Sequence, residues 1–342
     1  MSKLDFDTLL EQAEELRKQR VRGRYAPSPT GSLHLGNLRT ALYAWLQVRL
    51  AGGQLVMRME DLDEPRTKEG SAREIVEDLR WLGLDWDEGP EMGGPVGPYT
   101  QSERTELYRQ ALDRLRDEEL VFRCYCSRKD VREASSAPHG PGGVVYPGTC
   151  RTLSDEEREE AQARHPGRKP SYRFLVEDRK ISVHDRIAGH YAENLERDVG
   201  DFVVRRSDQL FAYQLAVVVD DALMGITDVV RGADLLTSTP RQIALFETFG
   251  VAPPRFWHAP LMIDEQGDRM SKRDGSDSLL EYRERGWDAP RVIGHLAASL
   301  GWVDDGVSLT ARELLEELDY EDLQTPRGAE ASAASRVKNT RD

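Results

Sequence analysis

Apolar residues recur at helical spacing over residues 4–20, where Leu4, Phe6, Leu9, Leu10 and Ala13 are set among acids and bases. The pattern predicts an amphipathic helix ahead of the core. Residues 21–25 predict a first strand. Leu38, Ala41, Leu42, Trp45 and Leu46 then share one face of a helix over 37–51, which Gly52-Gly53 ends with a left-handed turn. Residues 55–59 predict a second strand whose carboxyl end delivers Glu60 and Asp61. Strand, helix, strand in this order is a βαβ unit, and such units bind ligands outside the carboxyl ends of their strands.

The periodicity breaks at residues 88–98, a loop dense in Gly and Pro. A charged helix is expected over 102–119, and all three cysteines fall between 124 and 150, beside a Gly- and Pro-rich run at 138–143. This excursion predicts an inserted module over 106–195. The α/β pattern then returns with a strand at 202–205, a helix at 211–221 and a strand at 228–231. Thr239-Pro240 opens a further helix that Gly250 closes, and a last strand over 257–263 runs toward a polar loop. Residues 279–325 read as helices with Leu296, Leu300 and Leu314 among their apolar positions, and 327–342 as a disordered tail.

With 39% hydrophobic and 32% charged residues the chain has the composition of a globular protein. It carries no apolar run of membrane-spanning length, and its start, acidic and without an apolar core, is not a secretion signal. Three cysteines cannot all pair internally and suit a reducing cytoplasm, the expected location. A net charge of −14 argues against a general grip on nucleic acid, although a local basic stripe would suffice.

Two segments carry the chemistry. Pro27-Ser28-Pro29-Thr30-Gly31-Ser32-Leu33-His34-Leu35-Gly36-Asn37 places a His and small residues at the mouth of a helix, where backbone N–H groups favour phosphate. Gly31 and Gly36, lacking a Cβ, let backbone approach a nucleotide closely. Arg269-Met270-Ser271-Lys272-Arg273 offers a Lys as counter-charge on a loop. Chemistry at an α-phosphate needs such a division, because charge must be met where it develops.

The first of these, extended back to Arg24, resembles the N-terminal signature of class I aminoacyl-tRNA synthetases, more narrowly the glutamyl group. Residues 60–66, 99–104, 231–236 and 269–273 continue the resemblance in order, over about residues 21–280. It implies an α/β, Rossmann-type class I catalytic domain in two halves, 21–105 and 196–265. Around them come a helical extension at 1–20, an acceptor-binding-like insertion at 106–195 with zinc, and a mobile-loop and helical stem-contact-like region at 266–326.

The resemblance also assigns roles. His34 would contact ATP phosphates, with Gly31, Gly36, Asn37, Met270, Ser271 and Lys272 completing the ATP site; Asn37 stands where other subgroups have a second His. Lys272 would stabilise the departing pyrophosphate. Arg24, Tyr25, Ala26, Pro27, Ser28, Glu60, Tyr213 and Arg231 would form the glutamate pocket. There the two Arg residues meet carboxylates, as guanidinium geometry favours, and Glu60 accepts from the α-ammonium. Taken without the resemblance, Glu60 or Asp61 reads as a surface ion pair with Arg58 or Arg66.

Cys124, Cys126 and Cys150 suit one structural Zn²⁺ ion, which takes four tetrahedral ligands; three free thiols is the plainer alternative. General zinc chemistry favours His139 as the fourth ligand. The resemblance favours Tyr146, because truncated glutamyl paralogues use Cys-x-Cys and Tyr-xxx-Cys.

Only residues 273–342 follow Lys272, too few for the anticodon-binding domain expected of a full-length glutamyl enzyme. The resemblance is therefore to the truncated paralogues. It implies tRNA-independent activation of L-glutamate by Mg²⁺–ATP, then transfer to queuosine at the wobble position of tRNA(Asp), by a monomer with no membrane partner. A shortened enzyme charging the ordinary 3′ end, a small-molecule adenylyltransferase and an inactive RNA-binding relative are the rival expectations.

Overall fold

The computed structural model describes residues 5–134, 144–262 and 278–327. Its centre is a four-stranded sheet in the order β2-β1-β8-β9, built from Arg22–Tyr25 (β1), Gln54–Met57 (β2), Asp228–Gly232 (β8) and Arg255–Ala259 (β9). All neighbouring pairs are parallel. Strand side chains alternate between two cores, as a period of two requires. Val56, Val229 and Phe256 face one core, and Leu55, Met57, Val230 and Trp257 face the other.

The first core is covered by α1 (Phe6–Gln19), α4 (Thr105–Asp117), α8 (Tyr213–Leu223) and α9 (Thr239–Thr248). Phe6, Leu9 and Ala13 bury one face of α1, and Asp5 caps it by accepting from the Thr8 N–H. The second core is covered by α2 (Leu35–Leu50), α3 (Ser71–Trp81), α11 (Ala289–Ser299) and α12 (Ala311–Glu317), with α10 (Leu279–Glu284) contributing Leu279. Leu296, Leu300 and Leu314 are buried there.

Between the two halves lies a different architecture. β3 (Val121–Cys124), β4 (Ser171–Phe174) and β7 (Phe202–Arg205) form an antiparallel sheet, and β5 (Lys180–Asp185) pairs with β6 (Gly189–Asn194) as a hairpin. The short helices α5 (Arg128–Ala134), α6 (Asp155–Ala163) and α7 (Leu195–Asp198) join these strands. The sequence reading placed 202–205 in the returning catalytic half, but β7 pairs with β4 and so extends the inserted sheet. Its alternation of buried and half-buried residues fits either sheet. The reading also carried the last strand to 263; β9 ends at Ala259, because Pro260 has no N–H to continue the ladder. Residues 269–273, His139 and 328–342 lie outside the described residues.

Candidate active site

Strand order reverses between β1 and β8, one βα connection going to each side, and ligands bind at the carboxyl ends beside such a switch point. A cavity of about 570 Å³ opens there. Its walls come from the segments that follow each strand: 24–28 after β1, Glu60 after β2, Arg231 and Asp234 at β8, and Pro260 to Met262 after β9. Every described residue expected at the site lines this one cavity: Arg24, Tyr25, Ala26, Pro27, Ser28, Gly31, His34, Gly36, Asn37, Glu60, Tyr213 and Arg231.

At one end, His34 is the N-cap of α2, its Nδ1 accepting from the Gly36 N–H at 3.1 Å. An accepting Nδ1 leaves the ring proton of a neutral His34 on Nε2. A Cβ on residue 36 would lie 3.0 Å from His34 Cε1, so Gly36 makes room for the ring as well as for a ligand. The loop leading into α2 is pinned to α3. The Gly31 N–H donates to Ser71 Oγ at 2.9 Å, and Ser32 Oγ donates to Glu74 at 2.5 Å.

At the other end lie two buried guanidiniums. Arg24 donates to the Val230 carbonyl at 2.9 Å and stands 3.5 Å from Asp221. Arg231 differs: it donates to His258, Gln242 and Thr239, and among the described residues no carboxylate lies within ion-pair distance of it. Burial, with Arg24 nearby, lowers its pKa despite Tyr213 and Asp221. A buried cation with neutral partners is an unmet demand for an anion. Tyr213, the first residue of α8, is 37% exposed and lines the same cavity.

Glu60 does pair with Arg58, at 2.9 Å, but not on the surface as the plainer reading had it: Arg58 has no solvent exposure. Burial raises the Glu60 carboxyl, with Arg58 and Arg24 opposing. Arg58 also meets Asp221 at 2.7 Å and Asp220 at 3.6 Å, and Arg104, Tyr108 and Gln101 hold Asp220 in turn. Burial works against the charge on Arg58, but Asp221, Asp220 and Glu60 more than offset it.

Away from the cavity, Cys124, Cys126 and Cys150 bring their sulfurs within 4.8 Å of one another, and Cys126 lies 3.5 Å from Cys150. Tetrahedral zinc with bonds near 2.3 Å sets sulfurs about 3.8 Å apart, so the cluster fits a metal. Tyr146 Oη is 3.5 Å from Cys124 Sγ and accepts from the Cys150 N–H at 2.8 Å. Hydrogen bonds from the other two cysteines lower the Cys124 thiol, and hydrogen bonding with Cys124 and Cys150, followed by burial, raises Cys126.

The sequence reading missed Arg58 as a buried hub, the Asp220–Asp221 pair, and Ser71 and Glu74 behind the His34 loop. A visible signal existed for the acids: two adjacent Asp at the end of an otherwise apolar helix, VVVDDAL, must be paired if buried. For Ser71 and Glu74 there was none, since α3 was not anticipated.

A doubly covered parallel sheet, a His-capped helix at its switch point and an insertion between its halves match the class I synthetase catalytic domain that the resemblance implies. The chain belongs to the class I tRNA synthetases (E and Q): that catalytic-domain family matches residues 20–326. It is 51% identical over 300 residues to the glutamyl-Q tRNA(Asp) synthetase of Symbiobacterium thermophilum, covering 87% of this chain and 92% of that one. It is 41% identical over 290 residues to the glutamate–tRNA ligase of Heliobacterium modesticaldum, covering 84% of this chain and 58% of that one. A crystal structure of the glutamate tRNA ligase of Elizabethkingia meningosepticum in complex with its amino acid superposes with TM-score 0.76 at 28% identity. That match covers 94% of this chain and 70% of the other. No helix among the described residues is long and apolar enough to cross a membrane.

Proposed function

We propose that this enzyme activates L-glutamate with ATP to glutamyl-adenylate, without tRNA, and transfers the glutamyl group to queuosine at the wobble position of tRNA(Asp). The observation that carries the first step is Arg231, buried at the cavity wall with neutral side-chain partners. A substrate carboxylate supplies the missing anion, and Arg24 stands by as a second cation. Glu60, on the same cavity, accepts from the α-ammonium, and Tyr213 lends its phenol. The α-carboxylate is then left to attack the α-phosphorus of ATP, with pyrophosphate leaving. His34 and the N–H groups opening α2 meet the phosphates, and Lys272, by the resemblance, meets charge on the leaving group. Mg²⁺ accompanies ATP as its counter-ion.

Two features support the second step. The glutamyl-Q tRNA(Asp) synthetase is the more similar of the two relatives quoted, and the match covers 87% of this chain and 92% of that one. A groove between α4, α6 and the inserted sheet also offers a local basic stripe of the kind that a chain of net charge −14 needs. Arg116, Arg123, Arg158, Lys169 and Arg205 line one groove against Asp155 and Glu159, with Tyr172 among them. The 106–195 module, with β7 added, and the helices of 278–326 are assigned to contact tRNA. One Zn²⁺ on Cys124, Cys126, Cys150 and Tyr146 would staple the insertion, whose own core around Phe122 is small.

The test is glutamate-dependent ATP–pyrophosphate exchange in the absence of tRNA, followed by transfer of labelled glutamate to tRNA(Asp) with and without queuosine. Exchange and queuosine-dependent transfer are expected. Transfer to queuosine-free tRNA that stops when the 3′ end is blocked would establish ordinary charging instead. No exchange would overturn the enzymatic reading.

A further inference from the structure

In the register of β8 and β9, Arg231 stands opposite His258, and both side chains leave the same face of the sheet. Arg231 Nε donates to His258 Nε2 at 3.0 Å, Nη1 donates to Gln242 Oε1 at 2.7 Å, and Nη2 donates to Thr239 Oγ1 at 2.8 Å. Behind His258 lies Asp185, its Oδ2 2.5 Å from His258 Nδ1. The other carboxylate oxygen accepts from the backbone N–H groups of His258, Ile187 and Ala188, at 3.1, 3.0 and 2.8 Å. Burial opposes the charge on Asp185, but these bonds outweigh it and hold the carboxyl below the usual range.

The donors and acceptors fix the proton. An ionised carboxylate only accepts, so His258 Nδ1 carries the hydrogen, and a neutral ring then leaves Nε2 bare to accept from Arg231. The opposite tautomer, or an imidazolium, could donate Nε2–H to Thr239 Oγ1, 3.2 Å away, but would set it against the Arg231 Nε–H, donor to donor, and the guanidinium would have to turn.

Asp185 ends β5 in the hairpin, outside the catalytic sheet. The hairpin docks on β9 through the Arg186 N–H, which donates to the Phe256 carbonyl at 2.9 Å. The arrangement separates orientation from charge. A carboxylate placed directly on Arg231 would compete with an incoming anion, whereas one placed behind a neutral imidazole orients the guanidinium and leaves its charge unmet.

We propose that Asp185 and His258 are positioning residues for substrate carboxylate recognition: Asp185 fixes the Nδ1–H tautomer of His258, whose bare Nε2 aims Arg231 into the cavity. This rests on the reading of Arg231 as a partner of the glutamate carboxylate. It makes glutamate binding depend on a residue of the β5–β6 hairpin that does not itself line the cavity.

The test combines Asp185→Asn with the tautomer of His258. An Asn amide can donate to Nδ1 and so favours the Nε2–H tautomer. In ATP–pyrophosphate exchange the KM for glutamate is expected to rise about tenfold, the scale of one misdirected hydrogen bond to a charged group, with the KM for ATP unmoved. An unchanged glutamate KM would overturn the proposal. ¹⁵N spectra of histidine-labelled wild-type enzyme should show His258 protonated at Nδ1; protonation at Nε2 overturns the proposal even if the variant does not fold. The two levels of failure stay distinct. A wild-type enzyme without glutamate-dependent exchange fails the functional reading, whereas an active wild type with an unaffected Asp185→Asn variant fails this inference alone.

Discussion

Arg58, with no solvent exposure, donates to Asp221 at 2.7 Å, and through Asp221 it is linked to Arg24 on the neighbouring strand β1. Its other Nη donates to Glu60 at 2.9 Å, so one guanidinium braces two side chains of the cavity. Removing it leaves Asp220, Asp221 and Glu60 buried beside one another with a cation missing. Arg58→Met is expected to destabilise the fold by about 3–5 kcal/mol, the cost of breaking a buried ion pair from one side. Urea unfolding measures this, and a loss under about 1 kcal/mol would mean that the acids find other partners or protonate cheaply.

At the end of the cavity proposed for the nucleotide, the prediction concerns space. Gly36→Ala puts a methyl group 3.0 Å from the His34 ring, which must then shift from its place at the mouth of α2. Misplacing a catalytic group by about 1 Å costs on the order of 100-fold. The contact asks the ring to give by only a few tenths of an ångström, so exchange activity should fall roughly threefold to tenfold, with Arg24 and Arg231 untouched and the KM for glutamate nearly constant. Steady-state exchange at varied ATP and glutamate separates these effects. A rise confined to the glutamate KM would place the damage at the wrong end of the cavity.

How much of this was legible follows the physics of each element. β1, α2, β2, β8 and α9 announce themselves because their apolar positions keep a local period and Gly or Pro marks their ends. The cavity residues were legible through the long ordered resemblance, and they do converge on one cavity. The inserted sheet was not, because a strand such as β3, whose four residues are VFRC, is too short to show a period. The Asp185–His258–Arg231 chain was invisible because Arg231 and His258 meet only through the β8–β9 register and Asp185 joins them only when the hairpin docks on β9. Arg58 read as a surface charge for the same reason, its partners on α8 being more than 160 residues away.

The cysteine cluster predicts a metal content. Wild-type protein purified without chelator should carry one equivalent of zinc, and Cys126→Ser should lose it, since the three sulfurs already sit at near-coordination spacing. Glutamate-dependent exchange should persist in the variant because the cluster is remote from the cavity lining, while transfer to tRNA falls as the insertion loosens. Elemental analysis of both proteins decides it. A wild type free of zinc leaves three ordinary thiols.

Asp78 predicts a pH dependence of stability. It lies on α3, the helix that holds the His34 loop through Ser71 and Glu74, and it is 5% exposed with Arg283 no nearer than 3.9 Å. Burial first, then the neighbouring Glu74, push its carboxyl up to about 6. In the unfolded chain the same group titrates near ~3.9. Between those two values the folded protein therefore holds the proton more often than the unfolded one, and stability must fall as pH rises through that window. The cost is absent below about pH 4 and complete above about pH 6, where it amounts to at most ~3 kcal/mol. Asp78→Asn keeps the shape and removes the charge. The variant should unfold at higher urea than wild type at pH 7, the gap closing as both are taken toward pH 4. Equal midpoints at pH 7 would show that Arg283 or solvent already satisfies the carboxylate. Asp78 is not among the residues lining the cavity, so exchange activity at pH 7 should change little in the variant.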